Sequence, residues 1–168
     1  FKKVLKPGMT VLDVGANIGY FSVLAAGLVG NSGRVHAFEP APPCFAQLQK
    51  NLAAFSWARA HSSAVGDELG TARFHFSEQG NQTGWGSLLS QDKASTEETM
   101  VPVVRLDDWA REQAIGRIEF IKMDVEGAEW DALQGARRVL IEAKPKLLCE
   151  IHHPEQTQEI RDLLAQHG

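Results

Sequence analysis

Several protein classes are excluded by what this 168-residue chain has little of. It contains only two cysteines, Cys44 and Cys149, far apart and in no spacing that suits a metal site, a redox pair or a disulfide framework. Cys149 lies in an apolar run and reads as a core thiol. No apolar run approaches the roughly 18 residues of a membrane span, and no signal-peptide pattern opens the chain. There is no basic stripe, and the net charge of −4 argues against a nucleic-acid partner. Repeats and low-complexity tracts are also missing. What remains is a chain with 43% hydrophobic residues, long enough for one domain with a substantial core and suited to the reducing cytoplasm. It starts at Phe1 rather than at a methionine, so it reads as a piece of something longer.

The segment Val11-Leu-Asp-Val-Gly-Ala-Asn-Ile-Gly-Tyr-Phe21 carries the most information. Val11, Leu12 and Val14 form the kind of apolar run that a buried parallel strand uses. Gly15 and Gly19 bracket a tight turn through Ala16 and Asn17, where backbone can approach a ligand closely. From Ile18 the pattern turns helical, with Ile18, Phe21, Leu24, Ala25 and Leu28 expected on the inward face. Strand, glycine turn and helix together are the nucleotide-cradling start of a doubly wound α/β fold. Twenty residues after Gly19, Glu39 closes a second apolar strand, where a carboxylate can accept hydrogen bonds from the hydroxyls of a ribose. The dinucleotide fingerprint wants three glycines, but its positions here hold Gly15, Asn17 and Tyr20. Asp13 would repel a diphosphate and suits a ligand carrying an amine. These features point to S-adenosylmethionine, which has a sulfonium, an ammonium and a ribose but no phosphate. A nicotinamide-binding oxidoreductase is the alternative. The missing glycines count against it, and so does the lack of a Tyr-x-x-x-Lys pair, Tyr20 being the only tyrosine.

The chain alternates strand and helix. Strands are expected near 10–14, 34–38, 60–65, 118–123 and 146–151, and helices near 18–29, 42–54, 107–114, 129–142 and 155–166. Pro42 and Pro43 fit the first turn of the second helix, where a missing N–H costs little. Asp107 or Asp108 is placed to cap the helix after Leu106. Gly127 reads as a turn out of its strand, and Gly135 as a helix interruption or cap. The rhythm breaks at 71–105, where Thr71–Phe76 and Met100–Val104 read as two short antiparallel strands. The polar stretch between them, 77–99, with Trp85, Leu88 and Leu89 as its apolar anchors, reads as a mobile lid over the ligand mouth.

A second motif, Ile118-Glu-Phe-Ile-Lys-Met-Asp-Val-Glu-Gly-Ala-Glu129, runs an apolar strand into Lys122, Asp124, Glu126 and Glu129. Ligands of open α/β sheets sit beyond the carboxyl ends of the strands, where this charge cluster falls. Lys122 and Glu129 read as members of an ion-pair network, with Glu126 or Glu150 as partner of the lysine. Asp124 and Glu126 read as cleft residues.

With these stretches in hand, the chain resembles the FkbM-type family of S-adenosylmethionine-dependent methyltransferases. The likeness runs through PGMTVLDVGANIGYFS (7–22), FEPAPPCFAQLQKN (38–51), SAVGDELGTARF (63–74), VVRLDDW (103–109), IKMDVEGAEWDALQGA (121–136) and KPKLLCEIH (144–152). It implies a Rossmann-like class I fold over 1–168 and O-methylation of a hydroxyl on a small molecule, sugar or lipid. It implies that Asp13, Gly15, Ala16, Asn17 and Gly19 shape the methionine side of the cofactor site, with Asp124 beside them. Glu39 would hold the ribose, with Pro40, Ala64 and Val65 next to the adenine and Asp67 as a weaker candidate for its amino group. Such folds have seven strands in the order 3-2-1-4-5-7-6. Five main strands are legible here, so the last two are expected to be missing and the edge of strand five to be unpaired.

Methyl transfer is an in-line displacement, so the protein mainly aligns the acceptor oxygen and accepts its proton. The catalytic candidates are Asp124, Glu126, Glu150 and His152, with His152 preferred over His153 as the base and no metal expected. A rival arrangement places a divalent ion on Asp124, Glu150 and His152. A non-catalytic cofactor-binding domain is the remaining alternative. The oligomeric state is left open.

Overall fold

The computed structural model describes residues 2–76 and 97–165. The first strand, β1 (Thr10–Val14), leads through the glycine turn into α1 (Tyr20–Val29), and β2 (Arg34–Phe38) leads into α2 (Pro42–Leu52). β3 (Ala58–His61) follows, then β4 (Ala64–Val65), β5 (Gly70–Phe76) and β6 (Glu97–Val104). The remaining elements are α3 (Leu106–Glu112), β7 (Phe120–Met123), α4 (Glu129–Gln134), α5 (Arg137–Ala143), β8 (Lys146–Cys149), a 3₁₀ turn at Pro154–Gln156 and α6 (Thr157–Ala165). Five strands form a parallel sheet in the order β3-β2-β1-β7-β8, as the sequence pattern requires. Among the described residues β8 is an outer strand of it.

Alternation along the strands feeds two cores. Leu12, Val14, Ile121 and Met123 face one way and pack with Trp109, Leu133, Val139, Leu140, Ile160 and Leu163 from α3 to α6. Val11, Val35 and Phe120 face the other way, against Phe21, Ala25, Ala26 and Val29 of α1. Ala37 meets Leu48 and Leu52 of α2. Helices thus cover both faces, and parallel strands buried on both sides account for the continuous apolar runs. Each wholly buried leucine or isoleucine contributes about 1.5–3 kcal/mol.

Several expectations need correction. The strand expected over 60–65 is two strands. β3 stays in the main sheet, whereas β4 pairs parallel with β6 in a second, three-stranded sheet ordered β4-β6-β5. The antiparallel pair is present but longer than expected, because Glu97, Glu98 and Thr99 pair with Phe76, His75 and Phe74. The rest of the expected lid, including Trp85, Leu88 and Leu89, lies outside the described residues. The inward face of α1 is Phe21, Ser22, Ala25, Ala26 and Val29. Ser22 is drawn in because its hydroxyl donates to the buried Asp13, while Ile18 stays in the turn ahead of the helix.

The helix expected over 129–142 breaks after Gln134. A Cβ on Gly135 would come 2.0 Å from the Gly66 carbonyl oxygen, so the chain turns where only glycine fits. A new helix, α5, begins two residues later, and its start is held from a distance. Asp107 Oδ2 accepts the Arg138 N–H and Oδ1 the Val139 N–H. Asp107 therefore caps α5 rather than its own helix α3, while Asp108 pairs with Arg105 and Arg111. None of the described helices is long and apolar enough to cross a membrane.

Candidate functional site

At the carboxyl ends of β1, β2 and β7 lies a cavity of about 450 Å³, within the ~300–1,000 Å³ range of small-molecule sites. The turn Gly15–Ile18 forms one wall, Glu39, Pro40 and Ala41 a second, and Ala64 and Val65 a third. Asp124, Val125 and Glu126 close the end beyond β7. Of the cofactor residues expected from sequence, Gly15, Ala16, Asn17, Glu39, Pro40, Ala64, Val65 and Asp124 therefore line one space. The sequence reading missed Ser63, Phe74, Phe76 and Cys44, which wall the end near Ala64. Phe74 and Phe76 are two apart on β5 and so share a face, a period-2 signal that was legible in Phe74-His-Phe76.

Three residues expected at the cofactor do not reach the lining. Asp13 is 0% exposed; Ser22 Oγ donates to its Oδ2 and Lys122 Nζ lies 3.6 Å from its Oδ1. Burial lifts its pKa to about 6 against the pull of Lys122 and the Ser22 bond. Gly19 starts α1, and a Cβ there would meet Leu48 Cδ1 at 2.5 Å, so it serves helix packing. Asp67 is exposed and sits near Asp131, away from the cavity.

The turn spends its own donors. Gly15 N and Ala16 N both donate to the Phe38 carbonyl. Asn17 N donates to Glu39 Oε2 at 2.7 Å, Ile18 N to Asn17 Oδ1, and Gly19 N to the Ala16 carbonyl. A pyrophosphate cradle needs such N–H groups pointed at the ligand. Glu39 is 6% exposed, and its Oε1 also accepts the Ala41 N–H. Burial pushes its pKa up to about 7, with the two backbone donors pulling the other way.

Gly15 is also where the two walls touch. Its φ is +74°, and a Cβ would come 1.7 Å from the Asp124 carbonyl oxygen. Lys122 ties the same place together, donating to the Gly15 carbonyl at 2.8 Å and lying 3.4 Å from Asp124 Oδ2. Its partners are thus Asp13 and Asp124, not Glu126 or Glu150. Register decides this, since Lys122 sits opposite Asp13 across the β1–β7 pairing.

Beyond the Asp124 wall stands His152. Its Nδ1 is 2.8 Å from Oε1 of Glu129, which is 0% exposed and also accepts the Gly127 N–H. Its Nε2 lies 3.3 Å from Glu126, 3.8 Å from Asp124 and 3.9 Å from Glu150. Desolvation lowers the imidazole pKa, but the Glu129 bond and the surrounding carboxylates outweigh it and the net shift is upward. Burial raises that of Glu126. Asp124, Glu126 and His152 offer ligand atoms within 4.8 Å of one another. Glu150 stands at the exposed rim, so the trio able to hold a cation contains Glu126 in its place. His153 is turned away toward Glu155.

The family model of the methyltransferase FkbM domain matches residues 13–168. The 31-O-demethyl-FK506 methyltransferase FkbM of Streptomyces tacrolimicus is 33% identical over 192 residues, covering 98% of this chain and 74% of that protein. The 2-O-methyltransferase NoeI of Sinorhizobium fredii is 30% identical over 151 residues, covering 83% of this chain and 62% of that protein. The crystal structure of methyltransferase FkbM from Methylobacillus flagellatus superposes with a TM-score of 0.69 at 22% identity; 98% of this chain is covered, but only 43% of the solved one. The five-stranded order, the cavity over the glycine turn and these likenesses agree: the chain belongs to the FkbM methyltransferase family.

Proposed function

We propose that this chain binds S-adenosylmethionine in the cavity and transfers its methyl group to a hydroxyl of a small molecule, sugar or lipid. One observation carries the cofactor choice. All five N–H groups from Gly15 to Gly19 are bonded within the protein, so the turn itself has none left to offer a pyrophosphate. The same turn brings a buried carboxylate, Glu39, to the wall, where it can accept bonds from ribose hydroxyls. Lys122, which also lines the cavity, is committed to Asp13, Asp124 and the Gly15 carbonyl rather than to a phosphate. The donor set and the cavity volume suit a nucleoside with an amino-acid tail better than a dinucleotide.

The cofactor, when bound, supplies a methyl group activated by its sulfonium. The chain then has to orient an acceptor oxygen and see its proton removed. Asp124 and Glu126 at the end of the cavity, and His152 beyond them, are the groups suited to that task, with Glu150 at the rim. The names of the two relatives, a 31-O-demethyl-FK506 methyltransferase and a 2-O-methyltransferase, favour oxygen as the acceptor. Calorimetric titration with S-adenosylhomocysteine, with NAD as control, tests the cofactor assignment. Binding of the former and not the latter is expected, and the reverse would overturn the reading. Transfer of labelled methyl to hydroxylated acceptors, absent with their deoxy analogues, tests the reaction and separates the enzyme from a non-catalytic binding domain.

A further inference from the structure

Four carboxylates surround one imidazole beyond the Asp124 end of the cavity. Glu129, Glu126, Asp124 and Glu150 lie 2.8, 3.3, 3.8 and 3.9 Å from the His152 ring nitrogens. Among the described residues, the lysine in contact with this group is Lys122, and it is shared with Asp13 and the Gly15 carbonyl. The arrangement is divided by depth. Glu129 is wholly buried and takes Nδ1, which fixes the ring and turns Nε2 toward Asp124 and Glu126. The Glu129 carboxylate is aimed at the ring through Oε1, and its Oε2 is buried with no hydrogen-bond partner among the described residues. A carboxylate behind an imidazole, with further carboxylates in front of it, is how proteins orient and strengthen a metal-ligating histidine.

We propose that His152 Nε2, Asp124 and Glu126 bind a divalent cation of the Mn²⁺ type, and that this cation selects acceptors carrying two adjacent oxygens. The distances suit it. An octahedral ion with bonds near 2.1 Å sets adjacent ligands about 3 Å apart and opposite ones about 4.2 Å apart. The Glu126–His152 separation of 3.3 Å fits an adjacent pair, and the three ligand atoms lie within 4.8 Å of one another, so small side-chain rotations close the set. Two carboxylates and one imidazole are a mixed oxygen and nitrogen set, which suits a first-row divalent ion. Three protein ligands leave positions open, and a vicinal diol or a hydroxyl beside a carbonyl would fill two of them. The selection of acceptor rests on the methyl-transfer reading, whereas cation binding does not. With a dication beside it the acceptor hydroxyl loses its proton to water. The oxygen then takes the methyl carbon, and the electron pair of the broken C–S bond stays on sulfur. His152 serves here as a ligand, a departure from its expected role as the base.

The test is Mn²⁺ binding, followed by electron paramagnetic resonance on the intact chain with and without S-adenosylhomocysteine. One ion per chain is expected. Glu126→Gln, at a half-exposed position, and His152→Ala should each weaken binding by about tenfold or more, and Glu129→Gln by ~10–100-fold through the ring it orients. Circular dichroism checks that each variant is folded, and Glu126→Gln carries the test if His152→Ala is not. No Mn²⁺ binding by a chain that binds S-adenosylhomocysteine would overturn the cation site and leave the proposed function intact. Mn²⁺ binding equal in parent and Glu126→Gln would also overturn it. Mn²⁺ binding lost in Glu126→Gln, by a chain that does not bind S-adenosylhomocysteine, would support the site and sink the cofactor reading.

Discussion

Glu39 offers the sharpest test of the cofactor site, because its chemistry near neutral pH is set by the fold. Its carboxyl is buried, with a pKa pushed to about 7. Only the ionised form accepts bonds from a ribose with both oxygens while keeping the N–H groups of Asn17 and Ala41. Below pH 7 the proton must leave first, at about 1.4 kcal/mol per pH unit. S-adenosylhomocysteine should therefore bind about tenfold more weakly at pH 6 than at pH 8, and binding near pH 6.5 should release a proton. Asp13 and Lys122 also act on this carboxyl, so a variant is needed to assign the effect. Glu39→Gln keeps the shape but sets an amide donor against one of the two N–H groups. That mismatch should cost about 1–3 kcal/mol of stability, and loss of charge-assisted bonds to the ribose should weaken binding ~10–100-fold. The pH dependence should vanish with it. The sign for the ligand-free protein is the opposite of the usual carboxylate case. A carboxyl whose folded pKa is raised contributes stability at low pH and loses it as pH rises through about 7. Isothermal titration calorimetry at pH 6, 7 and 8, in two buffers of different ionisation heat, measures affinity and proton release together. A pH-independent affinity without proton release would refute the reasoning, and so would a Glu39→Gln variant that keeps the parental pH profile.

Gly15→Ala would put a Cβ 1.7 Å from the Asp124 carbonyl at a φ of +74°. It should cost about 2–4 kcal/mol in urea unfolding and impair both walls of the cavity; an unchanged midpoint would contradict the contact. Asp107→Ala removes the remote cap of α5 and should lower stability by about 1–2 kcal/mol with little change in S-adenosylhomocysteine affinity. Asp108→Ala, which loses ion pairs to the half-buried Arg105 and the largely solvated Arg111, should cost about 1 kcal/mol. His36 and His61 are held 3.1 Å apart beside Trp109, with pKa values lowered to about 4, chiefly by burial and then by neighbouring positive charge. The unfolded chain takes up protons that this pair refuses, so their contribution to stability should fall as pH drops from about 6.5 to about 4. A double substitution to phenylalanine that left the slope over this window unchanged would count against the assignment.

The parallel sheet was legible because strands buried on both faces write continuous apolar runs, and β1, β2 and β7 have them. The Gly15 turn and the place of Glu39 on the cavity wall were legible because both depend on spacing along the chain. What the sequence hid were relations between distant segments. Asp107 looks like a local cap, and only the fold brings its carboxylate to the start of α5. Lys122 was assigned loop partners nearby in sequence, whereas register set it opposite Asp13. The single strand read over 60–65 concealed a change of sheet at Ser62 and Ser63, which sends Ser63 to the cavity wall. Glu126 and Glu150 are equally acidic in the sequence, and only the geometry around His152 separates the inner one from the rim.

The missing side chain at Gly15 has a consequence for redesign. Because the turn after β1 rests directly on the Asp124 backbone and Lys122 clamps both, nothing between these two walls of the cavity can act as a hinge or a cushion. A change at Asp124 or Val125 made to admit a new acceptor would be transmitted through backbone to the cofactor wall, and affinity for both would shift together. Acceptor range is better altered from the outer lip. There Ile18 is held outward by backbone bonds to Asn17 and Asn51, and Tyr20 is 84% exposed. Ile18 belongs to the turn through its backbone alone, and the Tyr20 side chain borders the cavity from solvent, so both side chains can be exchanged while the turn keeps its shape.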